Sequence, residues 1–594
     1  MISKKHSILI LICSILSVLF IGLNQENQSL LASFSKFTVM DIVYVSAFFI
    51  LFSYTNKSND KRAKICSGIL AIIFALCEVI GYSITRYWNL SCVIGSKTIF
   101  LKTILKLIGY SIVFYNVILL AFSKGIPKLK KLENKELDIF SNNKKSFVLV
   151  MIAILVCYLP YYLSQFPGII STDSVAEIST ALFSMNNMVN HHPVFHIAIV
   201  SIFMNIGRIL NNYIIGIGLY SFCQMVFTAS VFSFTLYYMA KKGVNFYIRL
   251  IAFLIFALYP PFACYSITMW KDVPFGIVML LYTICMIELA TNTRWLESKW
   301  KNILFILTMI LVILFRNNGV YVILLSIPFM IYWAKGYRKT MSIISIIIII
   351  FYVIFKGPIF KLFNITDGPI REALSVPVQQ IARTVKYRGE ELTQEEKDRI
   401  NKYLPINEIG EAYYPIISDN VKDKLNNEAV KENKVDFISL WIELFFKYPR
   451  EYVEAFLSGA IGYWYPEEKN WVVWDDEGTS YNLGTENLGI NIYQKPLLKI
   501  RIIDALIDHM DSDSTTVIGS IFSIGFICWI ILALLVYVIY KKNYRLILMF
   551  LPALFLWCTT IASPVWCEYR YIYSAFTCVI LLIAMTITLT NKEK

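Results

Sequence analysis

The sequence predicts an all-α polytopic membrane protein of about fourteen transmembrane helices, with one mainly helical extracytoplasmic domain. Three observations point there. Of 594 residues, 57% are hydrophobic and only 16% charged, too few charges to cover a soluble chain of this length. Apolar runs of ~20 residues, enough to cross the hydrocarbon core as a helix, recur along the chain. The basic residues behind the net charge of +14 sit in short clusters between those runs, as in cytoplasmic loops. No basic stripe with interleaved aromatics occurs, so the charge does not imply nucleic acid.

The elements follow in order. Lys4 and Lys5 precede an apolar run, 8–23, that looks like a signal sequence; no small-residue cleavage site follows, so an uncleaved anchor is expected. Further spans are expected at 39–54, 65–85, 99–122, 146–166, 213–239, 248–268, 273–290, 340–356, 516–540, 545–562 and 571–590. The stretch 302–334 is too long for one span. Arg316-Asn317-Asn318-Gly319 interrupts it, so it reads as two short helices meeting at that break.

Segment 193–210 is apolar enough to span, and parity decides its placement. If it lies along the outer surface, the clusters Lys57–Lys64, Lys124–Lys145, Lys241–Arg249, Arg294–Lys301, Lys335–Lys339 and Lys541–Arg545 all fall inside, with Lys592 and Lys594. If it crosses, every later cluster flips outward. The expectation is therefore an external juxtamembrane helix, with both termini cytoplasmic. The chain divides into N-terminal transmembrane helices (1–145) and a transmembrane core (146–356) with an external loop and juxtamembrane helix (167–212). An extracytoplasmic domain (357–515) and C-terminal transmembrane helices (516–594) complete it. In the domain, 375–389 and 392–405 read as amphipathic helices, the second ended by Pro405. Segment 441–466 is apolar enough to lie on the membrane or to form a core helix.

The twelve cysteines fall almost wholly in apolar segments and form no CxxC or Cys/His cluster, which argues for buried thiols over disulfides or zinc. The charged residues at membrane edges are more informative. FPGIISTDSVAEISTALFSMNNMVNHHPVFH (166–196) presents Asp173 just after a span and ends in three of the five histidines, His191, His192 and His196. A carboxylate there can take a proton from a hydroxyl, and imidazoles can bind phosphate oxygens. The competing account is local: Ser174 to Glu177 fits a capping box, and His191-His192-Pro193 fits a helix start. His192 and His196 have i, i+4 spacing, but no carboxylate in sequence completes a metal motif.

Trp270-Lys271-Asp272 is either an interfacial anchor or a cation at headgroup depth for a lipid phosphate, with Asp272 orienting it or binding a metal. Arg316, inside an apolar stretch, must find an anion or water. Arg570 is a second phosphate ligand or the ion-pair partner of Glu568. The mixture of aromatics and carboxylates at 462–482 reads first as an interfacial belt and second as a sugar-stacking surface.

The order of these blocks resembles the GT-C superfamily of integral-membrane glycosyltransferases: external loop with an early Asp, His-Pro juxtamembrane helix, Arg-x-x-Gly break, external domain. More closely, FPGIISTDS, NHHPVFH, MWKD, FRNNG, SVPVQQIART and GYWYP look like an uncharacterised family of bacterial multi-pass membrane proteins. The superfamily resemblance implies a polyprenyl-phosphate sugar as donor and Asp173 acting at the acceptor, which would be a cell-wall polymer, an exopolysaccharide or a protein. On this reading Lys271, Asp272, Arg316, Arg570, His191 and His192 serve the donor phosphate. A metal requirement is left open. The chain departs from the usual plan in three places: four or five spans precede the Asp loop, the usual His-Pro-Pro reads His192-Pro193-Val194, and no second carboxylate loop is evident between the next spans, since 241–248 is expected to be cytoplasmic. A transporter or flippase of lipid-linked saccharide, or a glycan polymerase or ligase, is the rival expectation.

Overall fold

The apolar runs become helices in the computed structural model, which describes residues 4–24, 29–30, 38–132, 141–473, 481–483, 490–510, 522–564 and 567–590. Among the described residues, eight helices are long and apolar enough to cross a membrane. They are Lys61–Tyr87, Lys97–Lys130, Lys144–Ser164, Tyr213–Lys241, Asp272–Thr291, Arg338–Leu362, Tyr544–Ala562 and Tyr569–Leu589. The expected span 248–268 is realised as Phe246–Leu258 and Pro260–Ile267, bent by 50°. The bend falls where Pro260 and Pro261, which lack an N–H, open the second helix.

The difference from about fourteen falls on the expected spans 8–23, 39–54, 302–334 and 516–540, which form shorter helices. The stretch 302–334 splits, as its sequence implies, into helices of 17 and 15 residues on either side of Arg316–Asn318. Residues 516–521 and the terminal Lys592 and Lys594 lie outside the described residues.

Two long helices form the interior of the bundle. In Asp272–Thr291, 83% of the apolar stretch is buried, and in Tyr569–Leu589 78%, against 22% in Arg338–Leu362. The two approach closely at Gly276, where a Cβ would stand 2.4 Å from the Tyr573 ring. Asp272 and Arg570 therefore stand at the ends of interior helices.

Three short β contacts tie the loops at that end together. Ile169 bridges Thr268, the strand Val189–Asn190 runs parallel to Thr366–Asp367, and Trp471 bridges Glu568. The backbone polar groups of these loops are thus satisfied by one another.

Beyond the helix Arg338–Leu362, which runs past the expected boundary at 357, a second core gathers Val378, Ile381, Tyr403, Ile409, Leu440 and Tyr452. Ser375–Arg388 and Gln394–Tyr403 are helical as expected, the second opened by a Thr393–Glu396 capping box. Segment 441–466 is a sequence of short helices broken at Tyr448 and Ala460, with Leu444 and Tyr452 in this core.

In the aromatic stretch, Tyr463 and Tyr465 are buried, and the Tyr465 ring fills the space beside Gly81, while Trp464 and Trp471 stay partly exposed. Its residues 474–480 lie outside the described residues. No disulfide forms among the described residues, although Cys223 and Cys558 are exposed rather than buried.

Candidate functional site

Asp173 stands in the first turn of the helix Thr172–Phe183. Ser171 precedes this helix, and its backbone N–H donates to Ser174 Oγ at 3.1 Å. The capping motif is therefore Ser171–Ser174, three residues before the one the sequence suggested. That shift frees Glu177 from capping and turns it into the protein. An acidic residue in a first turn is also favoured by the helix dipole.

Ser174 Oγ donates to the Met269 carbonyl at 3.0 Å, and Trp270 Nε1 donates to Ser171 Oγ. These contacts lock the Asp173 helix to the Trp270 loop and bring Lys271 onto Asp173. Lys271 Nζ donates to Asp173 Oδ2 at 3.1 Å and lies 2.9 Å from His192 Nδ1. Arg570 Nη1 donates to the same Asp173 oxygen at 2.7 Å and pairs also with Glu568. Arg570 lies 5.0 Å from the centroid of the Trp270 ring, a cation–π contact that fixes the guanidinium plane.

A second layer lies beneath. Glu177 is fully buried, holds His196 Nδ1, and stands 3.3 Å from His192 Nδ1 and 3.9 Å from Lys271 Nζ. His196 Nε2 meets the Tyr220 hydroxyl at 2.6 Å, which donates to Gln224 Oε1 at 2.8 Å. Gln224 ends the chain on the Thr268 carbonyl at 2.7 Å. Among the described residues no group of three or more His, Cys, Asp or Glu is placed to hold a metal ion. Here the Lys271 ammonium occupies the space between Asp173, Glu177 and His192 that such an ion would need.

Burial works to raise the Asp173 carboxyl, but Lys271, Arg570 and His192 outweigh it and hold it well below the usual carboxylate range. Burial likewise opposes ionisation of Glu177, yet His196, His192 and Lys271 bring it down to about 2. Glu568 goes the other way: burial pushes it up despite Arg570 beside it. Asp173 keeps 28% of its side chain exposed, so it is the carboxylate of this group that a ligand can reach.

Lys271 also faces a cavity of ≈ 890 Å³. Arg316, His191 and Tyr571 line it as well, with Lys356, Asp367 and Glu372, while Ile313, Leu325 and Phe355 supply apolar wall. Arg316 Nη1 is 3.2 Å from Asp272 Oδ1 and donates to the Tyr571 carbonyl at 2.9 Å. Asn317 and Asn190 bond to one another, which ties the helix break to the strand before His191. His191 is the outlying member, half-exposed and 4.0 Å from Glu372.

Of the residues singled out in the sequence, the fold brings Asp173, His192, Lys271 and Arg570 into one cluster. Asp272 and Arg316 pair beside it, and His191 stands at the cavity without touching Asp173. Arg570 makes the expected ion pair with Glu568 and a second one, with Asp173, that the sequence did not suggest. Sequence reading missed Glu177 as the carboxylate completing the His192–His196 pair, and missed Tyr220 and Gln224 altogether. The usable signal was Glu177 four residues after Asp173, one helical turn along the same face.

The fold and this cluster define a class: a helical membrane protein with buried ionic groups beside an amphipathic cavity. The chain belongs to the family of unknown function DUF6020, whose profile matches residues 183–594. Asp173 and Glu177 precede the matched region, whereas Lys271, Arg316 and Arg570 lie inside it. No curated protein and no solved structure matches the chain.

Proposed function

We propose that this protein is an integral-membrane glycosyltransferase of GT-C type, moving a sugar from a polyprenyl-phosphate carrier to an acceptor hydroxyl outside the cell membrane. In this reading the chain crosses the membrane about fourteen times, both termini are cytoplasmic, and 357–515 with the Asp173 cluster faces outward. The acceptor is a cell-wall polymer, an exopolysaccharide or a protein.

The observation that carries the proposal is the cavity, whose lining joins the cations Lys271 and Arg316 to apolar side chains such as Ile313, Leu325 and Phe355. A lipid phosphate needs both halves: cations for its charge and apolar wall for its chain. Asp173 adjoins the cavity through Lys271.

The acceptor oxygen attacks the anomeric carbon and its proton passes to Asp173. The bond from that carbon to the phosphate oxygen breaks, and the electron pair leaves with the phosphate. Lys271, Arg316 and Arg570 stabilise the charge that develops there. A carboxylate held by two cations is a weak base. A phosphate arriving at Lys271 and Arg570 draws them from Asp173 and raises its proton affinity at the moment the acceptor docks. Attack from the face opposite the leaving group inverts the anomeric centre.

Arg316 paired with Asp272 at a helix break is the feature that favours a transporter. Reconstituted protein offered a panel of polyprenyl-phosphate sugars separates the two readings. Transferase activity releases free polyprenyl phosphate from at least one donor. No release from any of them, with movement of lipid-linked sugar between leaflets, makes the protein a flippase.

A further inference from the structure

We propose that residues 490–510 form a strap lying in the membrane–water interface, whose apolar face is covered by bilayer lipid and which holds the Asp173 loop at headgroup depth. The proposal needs only Lys144–Ser164 to span the membrane and is independent of glycosyl transfer.

The strap is tied to the end of that span. Leu163 lies in the last turn of Lys144–Ser164, a 21-residue helix long and apolar enough to cross a membrane. The backbone N–H groups of Leu497 and Leu498 both donate to the Leu163 carbonyl, at 2.9 and 3.1 Å. The Lys495 N–H donates to the Phe166 carbonyl at 2.7 Å. Ser164 Oγ and Gln165 Nε2 donate to Asp504 Oδ1 at 2.9 and 3.3 Å. The strap thus sits level with the point where the chain leaves its apolar run.

One face of the strap is used inside the protein. In the helix Arg501–Met510, Ile503, Ile507 and Met510 recur at i, i+4 and i+7 and are buried in the main core. Ile492 joins the cluster that contains Ile170 and Ile178, on either side of Asp173. The neighbouring stripe is apolar too, yet open: Ile502 is 69% exposed and Leu506 39%, after Leu497 at 59% and Leu498 at 55%.

Four exposed aliphatic side chains on one short segment, level with the end of a span, are disfavoured against water and satisfied by acyl chains. Exposed Lys495, Lys499 and Arg501 lie in the same segment, where long cationic side chains reach headgroup phosphates. Continuity with the span and this charge complementarity make lipid the occupant.

The test uses the full chain in vesicles of phosphatidylglycerol and phosphatidylethanolamine, with a benzophenone amino acid at Ile502 or, separately, at Leu506. The control position is Glu395, exposed on the extramembrane helix Gln394–Tyr403. Photolysis is expected to give phospholipid adducts at 502 and 506 about tenfold or more above those at 395. Wild-type protein photolysed with a diazirine-bearing phospholipid checks the result without a substitution, and labelling should include 497–506. Adducts no higher than at 395, absence of label from 497–506, or cross-linked dimers in place of lipid adducts would overturn the proposal.

Discussion

Asp173, Glu177, Asp272 and Glu568 set four carboxylates against three permanent cations, Lys271, Arg316 and Arg570. Three of the four carboxylates are almost wholly buried, where an unpaired charge is costly and removal of one partner leaves the other exposed to that cost. Glu177 is the sharpest case, because His196, His192 and Lys271 all face it. We predict that Glu177→Gln lowers unfolding free energy by about 1–3 kcal/mol near neutral pH. The pH dependence has a definite sign. The folded-state pKa of Glu177 is depressed from 4.5 to about 2, so its contribution is complete above 4.5 and is lost as pH falls toward about 2. Thermal unfolding of both proteins should show the gap narrowing on acidification below 4.5. A gap that stays constant as the pH drops would mean that the carboxylate charge contributes nothing.

Among the elements, the contact between the interior helices Asp272–Thr291 and Tyr573–Leu589 does most to place the site, since Asp272 lies at the start of one and Arg570 just before the other. Gly276 permits their close approach, because a Cβ there would stand 2.4 Å from the Tyr573 ring. Gly276→Val should therefore cost about 1–3 kcal/mol by overpacking. The expected result is a lower thermal midpoint together with weakened polyprenyl-phosphate binding, and an unchanged midpoint would show that the helices can part freely. The eight long apolar helices were legible in the sequence because an apolar run needs no partner to declare itself. The Arg316 break was legible for the same reason, since a charge and an Asn-Asn-Gly interrupt the run. Helix starts were less so: Ser171–Ser174 and Ser174–Glu177 both satisfy a capping pattern, and only the Met269 carbonyl that receives Ser174 separates them. The burial of Tyr465 was hidden because it depends on Gly81, far away in the chain.

On the scale of the whole molecule, the site is assembled from distant segments. Lys271 is 98 residues from Asp173 and Arg570 is 397, so no local pattern could pair them. Their gathering follows from the three loop bridges and the two interior helices, which bring residues of the 167–192 loop, the core and the C-terminal part to one end of the bundle. There a cationic patch adjoins a cavity of mixed polar and apolar lining, and one partly exposed carboxylate pairs with two of the cations. The most direct test compares polyprenyl-phosphate release by wild type and Asp173→Asn, with polyprenyl-phosphate binding followed in parallel. The account predicts that release falls about 10²-fold or more. Binding is kept or tightened, because Lys271 and Arg570 lose a competing carboxylate. Undiminished release by Asp173→Asn would contradict the assignment of Asp173 as the proton acceptor.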